Sequence, residues 1–105
     1  MDLNQNRLKL HEKLCEILGS RNVYFQPPAS VKMQYPAIVY NLKDIDPKHA
    51  NNLVYTRFFC YTITVIDRNP DSEIVDRISQ LPMCSMDRPS YASDGLNHFV
   101  FTLYY

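Results

Sequence analysis

The sequence predicts an α+β fold, a mostly antiparallel four-stranded sheet with two helices packed on one face, in the order α-β-β-α-β-β. Three observations support this fold class. An apolar stripe with helical period lies near the N-terminus, β-forming stretches lie in the middle and at the C-terminus, and a second short helical pattern separates them. With 105 residues, 46% of them hydrophobic, the chain is expected to form a single domain (1–105) around one core.

The first predicted helix covers residues 3 to 18. Its apolar residues recur with the 3.6-residue period of a helix, and most charged residues fall on the remaining surface. Gly19 follows as a C-terminal cap, because glycine readily adopts the left-handed conformation that ends many helices. The stripe predicted to face the core consists of Leu3, Leu10, Leu14, Ile17 and Leu18.

A proline-rich arm precedes the first predicted strand, Ala37 to Lys43. The stretch NVYFQPPASVKMQYPAIVY (22–40) contains three prolines and four aromatic rings. Prolines donate no backbone hydrogen bond, so we expect that the arm does not pair fully with its own sheet and that side-chain contacts cover its rings. Two destinations remain open for the arm. It either folds over the core of its own molecule or contacts a neighbouring subunit.

The strongest β-strand signal is LVYTRFFCYTITVID (53–67), which follows a predicted polar loop at 44–52. At ~3.3 Å per residue such a strand is about 45 to 50 Å long, which exceeds the core of a small domain. Part of it is therefore expected to project, bend or pair outside the body. The face predicted to be buried comprises Phe59, Tyr61, Ile63 and Val65.

The C-terminal third is predicted to contain a helix and two strands. Asn69 and Pro70 are typical of the N-cap and first position of a helix, and Pro82 is expected to end it. A short strand at 83–87, a turn-rich stretch at 88–95 and a final strand at 96–105 follow. Within the turn-rich stretch, the adjacent residues Asp94 and Gly95 favour a hairpin. The buried helical stripe is predicted to be Ile74, Val75, Ile78 and Leu81.

Composition argues against several classes of partner. Eleven basic and eleven acidic residues give a formal net charge of zero, so nucleic-acid binding lacks its usual driving force. Cys15, Cys60 and Cys84 are scattered and odd in number, which is typical of free thiols in a reducing compartment. The chain lacks both an apolar run of the roughly 18 residues that span a bilayer and the apolar stretch of a secretory signal. We expect no nucleic-acid recognition, no membrane and no export.

The residues that carry reaction chemistry do not form a recognisable motif. His11 and Cys15 are four positions apart on one helix face, a spacing that suits two zinc ligands, but no second ligand pair accompanies them. Cys60 or Cys84 with His98 offers a thiol and a base, yet Cys60 lies mid-strand among aromatic residues, where a thiolate would be desolvated. We therefore predict no metal site.

Two further catalytic patterns are also disfavoured. The stretch SDGLNH (93–98) places Ser, Asp and His close together, but a triad needs these residues to converge from separate elements. Two glycines, Gly19 and Gly95, are too few for a phosphate-binding loop. We therefore predict a protein that is not an enzyme, with no catalytic residues and no cofactor.

Several segments resemble a family of phage proteins. The specific elements of the resemblance are NVYFQPP, YPAIVY, the pair HANN and YT, IDRNPDS and DGLNHFVFTLYY. The resemblance is to small proteins from the head-to-tail gene cluster of long-tailed phages and prophages of Gram-positive bacteria, and it covers nearly the whole chain. Within that gene cluster, the chain most resembles the tail terminator or tail completion proteins. The resemblance implies an α+β subunit that assembles into a hexameric ring, caps the head-proximal end of the tail tube, stops its growth and presents the docking face for the head. It implies no catalytic residues.

The same resemblance sets the expected partners and location. These are other copies of the chain, the tail tube protein and the head-tail connector or stopper protein, in a virion tail assembled in the bacterial host cytoplasm. A head-tail adaptor or stopper, and a small cytoplasmic protein-binding module, remain as alternatives. The residues predicted to line subunit or tube contacts are Phe25, Pro27, Tyr35, Asp46, His49, Asn51, Asn52, Tyr55 and Arg57.

Overall fold

A computed structural model describes residues 3–46 and 58–105 of the chain. The described residues form two helices and one five-stranded sheet, with strand order β1-β2-β3-β5-β4. β1 pairs parallel with β2, and the other neighbours pair antiparallel. The elements are α1 (Leu3–Leu18), β1 (Val23–Phe25), β2 (Ala37–Asp46), β3 (Phe58–Asp67), α2 (Glu73–Ser79), β4 (Cys84–Ser93) and β5 (Leu96–Tyr104).

The predicted four-stranded antiparallel sheet in the order α-β-β-α-β-β is wrong, because β1 adds a parallel strand from within the proline-rich arm. The arm's prolines lie outside β1, whose own backbone N–H groups remain available. The Gln26 N–H donates to the Tyr40 carbonyl, and the Ile38 N–H donates to the Asn22 carbonyl, each at 3.0 Å. The prolines therefore limit the length of the pairing without preventing it. The α+β class itself holds.

Two strands extend beyond their predicted ends. β2 continues through Asp46 into the predicted loop, and β4 continues through Ser93 across most of the predicted turn-rich stretch. Partner strands explain both extensions, since Asp46 lies opposite Phe58 and Ser93 lies opposite Leu96. The register of β4 shifts on both sides of Arg88, which accommodates the strand's proline at the edge of the sheet. The predicted strand segment 53–57 lies outside the described residues.

Two turn predictions have different outcomes. Asp94 and Gly95 both have positive φ angles, 54° and 75°, and connect β4 to β5 as the expected tight hairpin. The predicted start of the second helix at Asn69 and Pro70 is wrong. Ser72 is the N-cap, and its hydroxyl accepts a hydrogen bond from the Ile74 N–H at 3.3 Å. The Asn69 side chain instead accepts from the Asp71 N–H at 3.0 Å, which closes a turn before the helix.

Both helices pack on the same face of the sheet and enclose one core. The predicted buried face of β3 is confirmed, since all four of its residues lie in this core. α1 and α2 are also tied together directly, because the Arg77 guanidinium donates to the Ile17 carbonyl at 3.0 Å. The described part of the chain places no helix on the opposite face. The core includes Leu10, Leu14, Leu18, Ile38, Tyr40, Phe59, Tyr61, Ile63, Val65, Ile74, Ile78, Phe99, Phe101 and Leu103.

Candidate interaction surfaces

The sheet face opposite the helices, here called the open face, carries no charge at six central positions of its three middle strands. The strand registers align Val39 with Thr64 and Val100, and Asn41 with Thr62 and Thr102. None of these six side chains carries a charge, and five of them are half-buried. Neutral, β-branched surface costs less to desolvate than a charged surface does. The open face is therefore suited to contact with another protein surface.

The edge strand β4 exposes large apolar side chains. Met83, which directly precedes the strand, Met86 and Tyr91 are 51%, 50% and 48% exposed. Tyr91 pairs with His98 across the open face, where the two rings stack in parallel at 4.7 Å. β4 is the last strand of the sheet, so its outer backbone groups pair with no strand in the described chain. This edge therefore offers both backbone hydrogen bonds and apolar contacts to a partner.

A groove of about 470 Å³ lies between α2 and β4 and is here called the α2–β4 groove. Its apolar lining includes Val75, Met86, Phe99 and Phe101, and the Cys84 thiol also lines it. Two exposed aspartates of the preceding turn and helix, Asp71 and Asp76, line the same groove. No described side chain forms an ion pair with either aspartate. The groove thus combines apolar surface with two negative charges.

A polar cluster lies on the other side of the core, between α1 and the sheet. The Tyr40 hydroxyl is 2.7 Å from His11 Nδ1, and it accepts a 3.4 Å hydrogen bond from Arg7. Because Arg7 can only donate, the Tyr40 oxygen accepts from it and the phenol proton is available to His11 Nδ1. Burial, with the nearby positive charges of Arg21 and Arg7, lowers the pKa of His11. Burial also raises the pKa of Tyr40.

The cluster continues to the C-terminus through a second tyrosine. The Tyr61 hydroxyl donates to Asn6 Oδ1 at 2.9 Å, and Asn6 Nδ2 donates to the Tyr105 carbonyl at 3.2 Å. Burial raises the pKa of Tyr61 to about 12, so its phenol is neutral at physiological pH. No buried side-chain nitrogen or oxygen in the described residues lacks a hydrogen-bond partner. The cluster is therefore satisfied internally and holds α1 against three parts of the sheet.

The two thiols considered with His98 as catalytic groups, Cys60 and Cys84, lie far from it along the sheet. Cys60 and His98 are on the paired strands β3 and β5, but the partner of His98 is Ile66, six residues from Cys60. Six strand residues separate them by ~20 Å. Burial raises the pKa of the Cys15 and Cys84 thiols, which keeps them protonated. In residues 3–46 and 58–105, no group of three or more His, Cys, Asp or Glu side chains is arranged to hold a metal ion.

The arm residues predicted to line contacts lie against their own molecule. The Phe25 ring is 4.9 Å from the Tyr40 ring, and the Arg7 guanidinium lies 4.7 Å from its centre. The half-buried Tyr35 ring has the Arg68 guanidinium 5.7 Å from its centre. Pro27 is also half-buried, shortly after β1. Of the two destinations left open for the arm, packing on its own chain therefore accounts for the contacts of Phe25 and Tyr35.

The remaining predicted contact residues lie at or beyond the end of β2. The backbone of Asp46 is the last position of β2, opposite Phe58. The structure does not bring this position together with the arm, because Phe25 pairs with Tyr40, six positions earlier on β2. The predictions for His49, Asn51, Asn52, Tyr55 and Arg57 lie outside the described residues.

Sequence reasoning missed the polar cluster and the α2–β4 groove. One signal of the cluster was available, because Asn6 lies four positions before Leu10 on the buried helical stripe. A polar residue at such a position requires a hydrogen-bond partner in the core. The groove had no comparable signal, since its lining comes from α2, β4 and β5, which meet only in the folded chain.

Comparison with known proteins assigns the chain to no family. No protein-family model, curated protein or solved structure matches the chain. The described helices include none with the length and apolar character needed to cross a membrane. The features that bear on function are therefore the open face, the β4 edge, the α2–β4 groove and the motif segments of the sequence.

Proposed function

We propose that this chain is a structural virion protein, a tail terminator that forms a ring at the head-proximal end of a phage tail tube. The ring stops tube growth and provides the surface to which the head docks. The observation that carries the proposal is the uncharged centre of the open face, which is continuous with an edge strand that exposes Tyr91. The resemblance of the motif segments to tail terminators supports the proposed position in the virion.

The two edges of the sheet support assembly in a head-to-tail manner. On one side β4 presents a ten-residue outer edge. On the other side β1 pairs with β2 only as far as Tyr40, and the Leu42 N–H bonds to the Gln26 side chain instead of to a strand. Contacts between two unlike edges are heterologous, and heterologous contacts close into rings when the rotation between subunits allows it.

The charge balance is compatible with close packing of copies. A formal net charge of zero removes the long-range repulsion that keeps strongly charged proteins apart. Each contact in a ring is also reinforced by closure, because the last subunit is held by two neighbours at once. Weak individual interfaces therefore suffice for a stable ring.

The test measures the mass of the full-length protein by light scattering and sedimentation at several concentrations, with and without the tail tube protein. We expect a ring, alone or on the end of the tube, visible by electron microscopy, and tubes of limited length in its presence. A protein that stays monomeric at every concentration and ignores the tube would contradict the proposal. Capture by portal-side proteins in place of the tube would assign the chain to the adaptors or stoppers.

Two matched variants locate the contact surface. Tyr91→Glu places a charge on the β4 edge, whereas Leu8→Glu places one on α1, and the two wild-type side chains are 48% and 49% exposed. We expect Tyr91→Glu to weaken ring formation and Leu8→Glu to leave it near wild type. Equal effects of the two variants would argue against the β4 edge as the contact surface.

A further inference from the structure

We propose that the α2–β4 groove is a docking site for residues 47–57 of a second copy of the chain. The inference rests on the proposed ring-forming function and names one contact between neighbouring subunits. The acceptor surface is the groove between α2 and β4 of one subunit. The inserted segment is the part of another subunit's sequence that connects β2 to β3. Such a contact is heterologous, as a ring requires.

The groove provides an apolar floor with negative charge beside it. Phe99 and Phe101 form part of the lining, and the half-exposed Met86 adds an unbranched thioether that adapts to the shape of an inserted group. Asp71 and Asp76 lie at the same groove, and neither forms an ion pair with a described side chain. A segment that is apolar and positively charged complements this surface.

Residues 47–57 have that chemistry. Their sequence, PKHANNLVYTR, contains two aliphatic residues and an aromatic residue in succession, Leu53, Val54 and Tyr55. Lys48 and Arg57 flank them, and the segment contains no aspartate or glutamate. The segment therefore carries a net positive charge, although the whole chain is neutral. This positive charge complements the two aspartates that line the groove.

Geometry favours a second copy over the same chain as the source of the segment. The segment is held at both ends by the paired residues Asp46 and Phe58. Even when fully extended, a segment of this length reaches at most about 20 Å from those ends. Phe101, which lines the groove, lies on β5 directly opposite Ile63 of β3. To reach it from Phe58, the segment must therefore cover five residues along β3 and then cross to the next strand. That path is already ~17 to 20 Å and leaves no length for the segment to lie along the groove.

Disulfide trapping tests the contact, because the native Cys84 lines the groove. Full-length Val54→Cys protein is oxidised with oxidised glutathione and analysed on non-reducing gels and by mass spectrometry. We expect a disulfide between the thiol introduced at position 54 of one chain and Cys84 of another. Adding Cys84→Ser to the same variant is expected to abolish this bond.

A second cysteine variant controls for random collision between chains. Ser30→Cys introduces a thiol at an exposed position of the arm, away from the segment proposed to dock. We expect this variant to form far less disulfide with Cys84 than Val54→Cys does. Equal cross-linking of the two variants, or a Val54→Cys bond formed only within one chain, would overturn the proposal.

A charge exchange gives a further test that does not depend on a new thiol. Asp76→Lys is expected to weaken self-association about tenfold, and adding Arg57→Asp in the same chain is expected to restore it. Circular dichroism confirms that each variant is folded. Failure of the exchange to restore association would overturn the docking proposal.

The trapping and charge-exchange tests separate this inference from the proposed function. If wild-type protein forms rings on the tail tube but neither cross-links through the groove nor responds to the charge exchange, the groove inference is overturned and the ring function stands. If the protein neither self-associates nor binds the tube, both are overturned.

Discussion

The two sides of the helix-covered face differ in how completely their polar and apolar groups are satisfied. Under α1, Tyr40 and Tyr61 are fully buried and their hydroxyls are hydrogen bonded. Beside the short α2, Met86 is half exposed, and the nearby aspartates have no ion-pair partner in the described chain. The α1 side therefore encloses its polar groups in buried hydrogen bonds, whereas the α2–β4 side leaves apolar surface and carboxylates available to partners.

The largest expected effect is the loss of stability in Tyr61→Ala. The side chain is fully buried, so its removal leaves a cavity and is expected to lower the free energy of unfolding by about 3 to 5 kcal/mol. Met86→Ala is the control from the other side, with an expected change within ~1 kcal/mol. Urea denaturation measures both. Equal losses would mean that the α2–β4 side is as tightly packed as the α1 side, which would contradict the difference described between the two sides.

Asn6→Ala is expected to have the second largest effect, about 1 to 3 kcal/mol. The substitution leaves the buried Tyr61 hydroxyl and the Tyr105 carbonyl without the hydrogen bonds that Asn6 makes. A double-mutant cycle with Tyr61→Phe measures the coupling between the two side chains. Asn41→Ala, on the open face, is the control and is expected to be near neutral. Additive effects of Asn6→Ala and Tyr61→Phe would contradict the proposed hydrogen-bond cluster.

Ser72→Ala tests the start of α2 and is expected to cost about 1 kcal/mol. The Ser72 hydroxyl accepts from the Ile74 N–H, which otherwise lacks a partner in the first turn. Ser79→Ala, at the other end of the same helix, is expected to change stability less. Thermal or urea unfolding compares the two. Asn69→Ala serves as a further control. A larger loss of stability in Asn69→Ala than in Ser72→Ala would indicate that Asn69, and not Ser72, caps the helix.

The smallest effect is a pH dependence that originates at His11. Its pKa in the folded protein is lowered below the ordinary value of 6.5, first by burial and then by Arg21 and Arg7. The unfolded chain therefore binds the proton more readily. Stability is full above pH 6.5 and declines as the pH falls from there towards the lowered pKa. His11→Gln removes this decline, whereas His98→Gln is expected to retain it. Parallel pH profiles of the His11→Gln variant and the wild-type protein would rule out His11 as the source.

The sequence predicted both helices and much of the sheet, but it predicted the sheet edges poorly. Helical period located α1, and the β-forming residues of 58–67 located β3 with the correct buried face. The short strand β1 was missed, because a three-residue strand has no period of its own and exists only through its pairing with β2. The extension of β4 through Ser93 was missed for the same reason, since β5 supplies its hydrogen bonds.

The candidate surfaces show the same division between local and long-range information. Local periodicity, glycine and proline positions and charge balance specified the α+β class, the Asp94 and Gly95 hairpin and the neutral character of the chain. Contacts distant in sequence decided the parallel β1 pairing, the Asn6 and Tyr61 hydrogen bond across 55 positions and the groove between α2 and β4. The physical reason is that backbone preferences act over a few residues, whereas strand partners and cavities depend on which elements meet when the core closes.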